Sequence, residues 1–283
     1  MWVFFSLPFE PMTDVTPLDL PLGTQSTRFR VFPLRHSQPL QAAIALAESG
    51  LPYQKFEIDL KNKPEWYAPK VNPASKVRIP STPLPVSHLL QVPAIAYGGP
   101  DVPADQPSPE SVKLAESGVL IQFIADLAPE GRLLPKDPVE KAKARFFIET
   151  FSAVFSPAWK GVVYDGLHNP TELLPALEKI QALLPEKGYA VGQWSIADAA
   201  VTPFFARLEV YLSNDLGRAQ EGQAASAWKT LQTDPKFSRF RQYFADLKSR
   251  ESFKETFDTV RNSLGRSIHA DTTGNSELHH HGI

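Results

Sequence analysis

The sequence predicts an α/β unit followed by an all-helical region, a fold of the α/β plus all-α class, on three observations. Residues 28–58 read as a strand, a helix and a second strand. An amphipathic helical run then ends at Leu127, and only helical patterns follow from Val139 onward. The 283 residues leave room for one or two domains of ordinary size.

The first predicted unit is a right-handed β-α-β crossover. Residues 28–32 alternate as a short strand, and residues 53–58 form the next one. Between them, residues 39–50 predict a helix, because Pro39 suits a first helical turn and Gly50 suits the left-handed position that ends a helix. Such a unit pairs its two strands in parallel.

A short apolar strand and a helix start frame a predicted polar pocket. Residues 92–95 (VPAI) contain Pro93, which cannot donate a ladder hydrogen bond and therefore belongs at a strand start, an edge or a bulge. Downstream, apolar residues from Leu114 to Leu127 recur at helical spacing. Glu116 and Ser117 fall in the first turns of this predicted helix, where exposed N–H groups and the positive dipole end attract an anion.

The second half of the chain predicts helices at five places. They cover residues 139–155, 171–184, 196–212, 224–231 and 235–249. Ser195 and Asp198 have the spacing of a capping box, with Asp in the place of the usual Glu. Capping of a buried helix, and not catalysis, is therefore the predicted role of this pair.

Composition excludes several classes of function. The chain has no cysteine, which excludes disulfides, cysteine metal ligation and cysteine nucleophiles. A net charge of −2 gives no electrostatic footprint for nucleic acid or for an anionic membrane. No apolar run reaches the length of a membrane-spanning helix, and the N-terminal residues lack the basic region of a signal peptide, so a cytoplasmic protein is expected. The sequence shows no zinc-binding spacing, so no metal is expected.

Segment composition gives the predicted domain boundaries. The predicted parts are a disordered or loosely packed extension (1–27), an α/β domain (28–127), a linker (128–138), an all-α domain (139–263) and a flexible tail (264–283). Within the α/β domain, residues 78–91 carry three prolines and neither periodicity. A functional lid is one interpretation of this insert; an extended loop, or an intron translated by a gene-model error, is favoured over it.

Three short segments resemble the glutathione site of the cytosolic glutathione transferases: residues 72–77 (NPASKV), 92–95 (VPAI) and 115–117 (AES). Residues 98–111 are similar to fungal Omega-like transferases, notably the subgroup with serine in place of the catalytic cysteine. The resemblance extends over residues 29–262. It implies a thioredoxin-like N-terminal domain, an all-helical C-terminal domain and glutathione as the co-substrate.

The resemblance also implies a role for five residues in holding glutathione. Lys76 matches the lysine near the glycyl carboxylate. Val92 would bind the cysteinyl part through its backbone, and Pro93 would be the cis proline that follows it. Glu116 and Ser117 would hold the γ-glutamyl end. An alternative remains for this last pair, since Ser117 could cap the helix and Glu116 could favour its dipole.

Activation of the thiol requires a donor in the turn between the first strand and the first helix. A free thiol has a pKa of about 8.5, so an enzyme must stabilise the thiolate at neutral pH. That turn is residues 35–39 (RHSQP). Counting back from Gly50, the family's cysteine or serine position falls on His36 and the following proline on Ser37. Three alternatives follow: Ser37 activates the thiol, which we favour, His36 donates instead, or the site is degraded.

The electrophile site in this architecture lies between the domains, against the first helices of the all-α domain. Phe155, Trp159 and Tyr164 are the aromatic candidates for this site, although core packing alone would explain several of them. Their composition favours flat hydrophobic ligands over sugars or phosphates.

The resemblance implies a glutathione transferase that conjugates glutathione to hydrophobic electrophiles or reduces organic peroxides, in detoxification. Thiol exchange through an enzyme cysteine is excluded, because the chain has none. The family's homodimer is expected, with no nucleic acid or membrane partner. Two alternatives are a ligandin-like binder of aromatic small molecules with little turnover, and a glutathione-dependent enzyme that cleaves aryl ethers.

Overall fold

The computed structural model of the protein describes residues 29–32, 40–56, 58, 64–71, 94–103, 105–217 and 219–257. Within these ranges, the chain forms a small mixed sheet with helices, followed by a larger helical region, so the predicted thioredoxin-like domain and helical domain are confirmed. The predicted N-terminal extension, the 78–91 insert and the tail after residue 263 lie outside the described residues.

The sheet has the strand order β2-β1-β3-β4. β1 pairs with β2 in parallel, as the β-α-β pattern predicts, and β3 runs antiparallel to both β1 and β4. The elements of this domain are β1 (Phe29–Phe32), α1 (Leu40–Ser49), β2 (Gln54–Lys55), α2 (Tyr67–Lys70), β3 (Ala94–Tyr97), β4 (Val112–Ala115) and α3 (Ser117–Leu127).

The helix predicted from Leu114 onward begins later than expected. Leu114 lies in β4, where it pairs with Ile95 of β3, and α3 begins at Ser117. Leu114 fits the apolar spacing of the helix, but the adjacent β3 offers its backbone groups a ladder of hydrogen bonds. That part of the prediction was wrong, and the strand it missed forms one edge of the sheet.

The helical region contains five longer helices among the described residues. They are α4 (Pro138–Trp159), α5 (Leu173–Gln181), α6 (Ile196–Ser213), α7 (Gln223–Thr233) and α8 (Ser238–Ser249). α4 is longer than predicted and continues into a π-helical turn, Lys160–Tyr164. Phe147, Phe151 and Phe155 of α4 face the core, whereas Phe146 is 62% exposed.

The capping box at the start of α6 is confirmed. The Ser195 hydroxyl accepts a hydrogen bond from the Ala197 N–H, and the Asp198 carboxylate accepts one from the Ser195 N–H at 2.8 Å. Asp198 also accepts from the Ala190 N–H at 2.8 Å and from the Tyr243 hydroxyl at 2.7 Å. A fully buried carboxylate thus ties together the loop before α6, the first turn of α6, and α8.

One apolar core runs through both domains. Buried residues of α1 and α3 join the same cluster as those of α4, α5, α6 and α8. The Gln41 side chain at the start of α1 donates a hydrogen bond to the Ala200 carbonyl of α6 at 2.6 Å. The other face of the sheet has a smaller cluster formed by Ile58, Tyr67, Val71, Ala94 and Ala96.

A polar clamp, formed by Arg250, Ser252 and Glu48, joins the segment after α8 to α1 at the domain interface. The Arg250 guanidinium donates two hydrogen bonds to the Glu48 carboxylate of α1, at 2.6 and 2.5 Å. The Ser252 hydroxyl donates a third to the same carboxylate. Arg250 also lies over the Trp194 ring, 4.5 Å from its centroid. The end of α1 is therefore held by the segment that follows α8.

Candidate functional site

Three strand ends meet in one row at an edge of the sheet. Phe32, the last residue of β1, pairs with Ala94, the first residue of β3. Ala94 pairs in turn with Ala115, the last residue of β4. The chain leaves this row toward the 35–39 turn after Phe32 and toward Glu116 after Ala115, and it enters from Pro93 at Ala94. The sheet register therefore joins three of the segments that carry the predicted glutathione-site residues.

Glu116 connects β4 to α3 in a backbone conformation that is unusual for its residue type. Its φ of 72° lies in the left-handed region, which costs about 1–3 kcal/mol for a residue other than glycine. The Glu116 carbonyl accepts the first helical hydrogen bond, from the Leu120 N–H at 2.9 Å. Its side chain is exposed and makes no capping hydrogen bond, so the carboxylate faces solvent at the strand-end row.

Ser117 is the first helical residue of α3 and is half-buried. Glu116, and not Ser117, occupies the capping position, and α3 has no side-chain cap. Among the described residues, the Ser117 hydroxyl has no hydrogen-bond partner. The first turn of α3 thus presents a hydroxyl, uncapped N–H groups and the positive end of the helix dipole beside the Glu116 carboxylate. This combination can bind the carboxylate and the ammonium of an amino acid.

The remaining predicted glutathione-site residues lie outside the described residues. They are His36, Ser37, Lys76, Val92 and Pro93. Their roles therefore stay predictions. The described residues fix only the ends of the segments that carry them, at Phe32, Leu40, Val71 and Ala94.

The three aromatic candidates for the electrophile site occupy different environments. Phe155 is fully buried and stacks between Phe151 and Trp159, with ring centroids 4.9 and 5.9 Å away. Trp159 is 4% exposed, and Tyr164, at the end of the π-helical turn, is 56% exposed. Phe155 thus packs inside the core, and Tyr164 lies at the surface. Contact of all three residues with a ligand stays a prediction.

Sequence reasoning missed Arg207 and Tyr211, which lie on α6 beside these aromatic residues. Arg207 is only 6% exposed and lies over the Phe204 ring, 5.7 Å from its centroid. The Tyr211 ring is 5.9 Å from that of Trp159. The available signal was an arginine inside a helix whose other buried residues are mostly apolar, because arginine is almost never fully buried without a partner.

Within the described ranges, no three histidine, aspartate or glutamate side chains converge on a position that could hold a metal ion. In the same ranges, every helix is too short or too polar to cross a membrane.

Comparison with known proteins identifies close structural relatives. No family model matches the chain. The structure of glutathione transferase Omega 1C from Trametes versicolor is 47% identical in sequence, with a TM-score of 0.75 over 87% of this chain and 96% of that one. Omega 2S from the same organism, solved in complex with 2,4-dihydroxybenzophenone, is 37% identical, with a TM-score of 0.73 over 85% and 99% of the two chains. Rat glutathione S-transferase omega-1 is 26% identical over 78% of this chain and 83% of its own length.

Proposed function

This chain belongs to the Omega class of the glutathione transferases, and we propose that it conjugates glutathione to hydrophobic aromatic electrophiles or reduces organic peroxides with it. The observation that carries the proposal is the row Phe32, Ala94 and Ala115, which joins the ends of the three predicted site segments. Glutathione, and no metal, is the co-substrate in this proposal.

The γ-glutamyl end of glutathione is assigned to the start of α3. The Ser117 hydroxyl and the uncapped N–H groups of the first turn would donate to the carboxylate. The exposed Glu116 carboxylate would accept from the ammonium group. The strained φ of 72° at Glu116 supports this assignment, because such strain is retained where function requires a fixed geometry.

The thiol is assigned to the turn before α1. The chain has no cysteine, so the attacking sulfur must be that of glutathione itself, and a transfer through an enzyme disulfide is excluded. Ser37 would donate a hydrogen bond to the thiolate, with His36 as the alternative donor. This assignment places the protein in the serine-type subgroup. In conjugation to a chlorodinitrobenzene the thiolate forms a C–S bond with the ring carbon, and the C–Cl bond breaks to release chloride. In peroxide reduction two glutathiones become a disulfide while the peroxide becomes an alcohol and water.

A homodimer in the cytoplasm is part of the proposal. Val119 of α3 and Phe146 of α4 are 51% and 62% exposed. The two helices are joined beside these residues by a hydrogen bond from Arg145 to Gln122 at 3.3 Å. An apolar surface of this kind suits a second copy of the chain. Sedimentation equilibrium should give twice the 31.4 kDa mass of one chain, and a monomer mass would contradict this part.

The catalytic assignment is tested by replacing the candidate donors one at a time. Ser37→Ala should lower the rate of glutathione conjugation to a chlorodinitrobenzene by about 10²-fold or more, because the thiolate loses its stabilising donor. His36→Ala should have a small effect, and Ser213→Ala, at the far end of α6, is the matched control. A large loss in His36→Ala with full activity in Ser37→Ala would move the role to His36.

The second candidate function is a ligandin-like binder of aromatic small molecules. The absence of cysteine and the one-residue offset of Ser37 in the turn favour it. Ser37→Ala separates the two functions, since a binder would keep its ligand affinity and have no turnover to lose. Release of a phenol from an aryl ether in the presence of glutathione would instead favour the ether-cleaving alternative.

A further inference from the structure

Four buried polar atoms between the end of α4 and the second half of α6 have no hydrogen-bond partner within the described part of the chain. They are Nε1 of Trp159, Nη1 and Nη2 of Arg207, and the hydroxyl of Tyr211, which we call the donor cluster. The three residues are 4%, 6% and 6% exposed. Unsatisfied buried polar groups are uncommon in folded proteins, and several in one place require an explanation.

These side chains belong to one local group. The rings of Trp159 and Tyr211 are in edge-to-face contact, 5.9 Å between centroids. Arg207 and Tyr211 are four residues apart on α6 and therefore share one helix face. Phe204, one turn before Arg207, lies under its guanidinium. Burial lowers the pKa of the Arg207 guanidinium, and the nearby phenol of Tyr164 acts in the opposite direction.

The donor cluster offers several hydrogens and one positive charge; its one acceptor atom is the uncharged hydroxyl oxygen of Tyr211, which cannot balance that charge. Arginine and the indole nitrogen can only donate. Burial lowers the pKa of Arg207 to about 10, so the guanidinium is still protonated at neutral pH. The nearby carboxylate of Asp215 already accepts from the N–H groups of Gly222 and Ala225, at 2.5 and 3.0 Å. Water could satisfy the donors, but it cannot neutralise the buried charge.

The donor cluster lies partly on α6, the helix that also contacts the α/β domain. Gln41 lies four residues after Ser37 and bonds the Ala200 carbonyl of α6 at 2.6 Å. Arg207 is seven residues further along α6, a rise of about 10 Å. The rings of Trp159 and Phe204 both pack against Phe155, so aromatic side chains adjoin the donor cluster. Trp159 belongs both to the donor cluster and to the residues predicted for the electrophile site, and this shared residue links the two.

We propose that the donor cluster binds the carboxylate or phenolate of a flat aromatic ligand, so that the acceptor substrates or ligands of this protein are aromatic acids. The inference names the electrophile class of the proposed glutathione transferase and so rests on that function. The aromatic rings hold the body of the ligand, and Arg207, Trp159 and Tyr211 hold its anionic group.

The test compares a carboxylate probe with its neutral ester. Isothermal calorimetry on the full chain should show that 4-benzoylbenzoate binds at least about tenfold more tightly than methyl 4-benzoylbenzoate. Arg207→Met should abolish this preference, because it removes the charge and keeps the volume. Lys229→Met, which removes an exposed basic side chain of α7, is the control and should keep the wild-type preference.

A second variant and a stability measurement show whether a loss of binding comes from misfolding. Trp159→Phe removes the Nε1 donor and keeps an aromatic ring, so it should weaken binding of the acid more than binding of the ester. Arg207→Met should keep or raise the melting temperature of the unliganded protein, because it removes an unpaired buried charge. An equal acid-to-ester ratio in wild type and Arg207→Met would overturn the proposal.

Glutathione titration of the same samples separates this inference from the proposed function. Wild type that binds glutathione but shows no acid preference would overturn only the assignment of the donor cluster. Wild type that prefers the acid but binds no glutathione would overturn the transferase function and leave an aromatic-acid binding site.

Discussion

At the scale of single residues, Glu116 combines backbone strain with an exposed carboxylate at the strand-end row. Its φ of 72° is one that glycine adopts without cost, yet the chain has glutamate there. Stability alone would favour glycine at this position. We therefore infer that glutamate occupies this position because of its side chain, in agreement with the proposed contact to the ammonium group of glutathione.

Glu116→Gly should separate stability from binding. We expect the free energy of unfolding to rise by about 1 kcal/mol, since the strain is relieved, while glutathione affinity falls about tenfold with the loss of the charged acceptor. Denaturant unfolding and calorimetry measure the two quantities. Glu116→Gln is the matched variant, because it keeps the strain and loses only the charge. Glutathione affinity at the wild-type level in both variants would remove Glu116 from the site.

Asp198 gives the fold a dependence on pH. Burial raises the pKa of its carboxyl to about 6 from the ordinary 3.8, although hydrogen bonds from Ala190, Tyr243 and Ser195 act to lower it. A raised folded-state pKa means that the folded protein binds this proton more tightly than the unfolded chain. The group therefore adds stability that is fully present below about pH 4 and is lost as the pH rises through about 6.

Asp198→Asn should destabilise the fold by roughly 3 kcal/mol at acidic pH, because an amide nitrogen then faces several donors. The difference in free energy of unfolding between wild type and variant should shrink as the pH rises from 4 to 7. Urea titrations at each pH measure it, with the exposed Asp126→Asn as control. A difference that does not change with pH would show that Asp198 keeps an ordinary pKa.

At the scale of helices and strands, the clamp between Arg250 and Glu48 holds α1 against the helical domain. The two side chains are 29% and 11% exposed. Hydrogen bonds donated to Glu48 are the main cause that raises the pKa of Arg250. Because α1 begins just after the segment that carries Ser37, the clamp holds a helix next to the proposed active site in sequence.

Arg250→Met should leave Glu48 buried without its charged partner and lower the free energy of unfolding by about 3 kcal/mol. Lys248→Met is the matched control. Its partner, Glu209, is 2.8 Å away, and this pair is more exposed, at 35% and 27%, so a loss of about 1 kcal/mol or less is expected. Equal losses in the two variants, measured by urea unfolding, would mean that the clamp is an ordinary surface ion pair.

Local patterns predicted the elements whose signals come from their own residues. The spacing of Ser195 and Asp198 was sufficient for the cap of α6, and Pro39 and Gly50 bracketed α1 to within one residue. β4 was missed because its evidence lies in another strand: Leu114 fits a helical spacing until β3 is placed beside it. The donor cluster was missed for a similar reason, because only folding brings α4 against α6.

At the scale of the whole molecule, one continuous core joins the domain that carries the proposed glutathione-site residues to the helical domain that carries the aromatic candidates. The two halves of the proposed site are therefore packed against each other by this core, and the hydrogen bonds of Gln41 and Arg250 add polar contacts between the same domains. The chain length allowed one or two domains, and the local patterns together with the family resemblance predicted two, but none of these could predict the shared core. The register of Phe32, Ala94 and Ala115 likewise depends on pairing between strands that are far apart in sequence.

The central claim is that the row of strand ends forms a glutathione site, and calorimetric titration of the full chain with glutathione tests it most directly. The account predicts a dissociation constant in the micromolar to millimolar range, weakened in Ser117→Ala. Deletion of residues 78–91 serves as the companion sample: binding that occurs only after the deletion would mean that the insert obstructs the site. Absence of binding in both samples would contradict the claim and leave the fold of a glutathione transferase without its function.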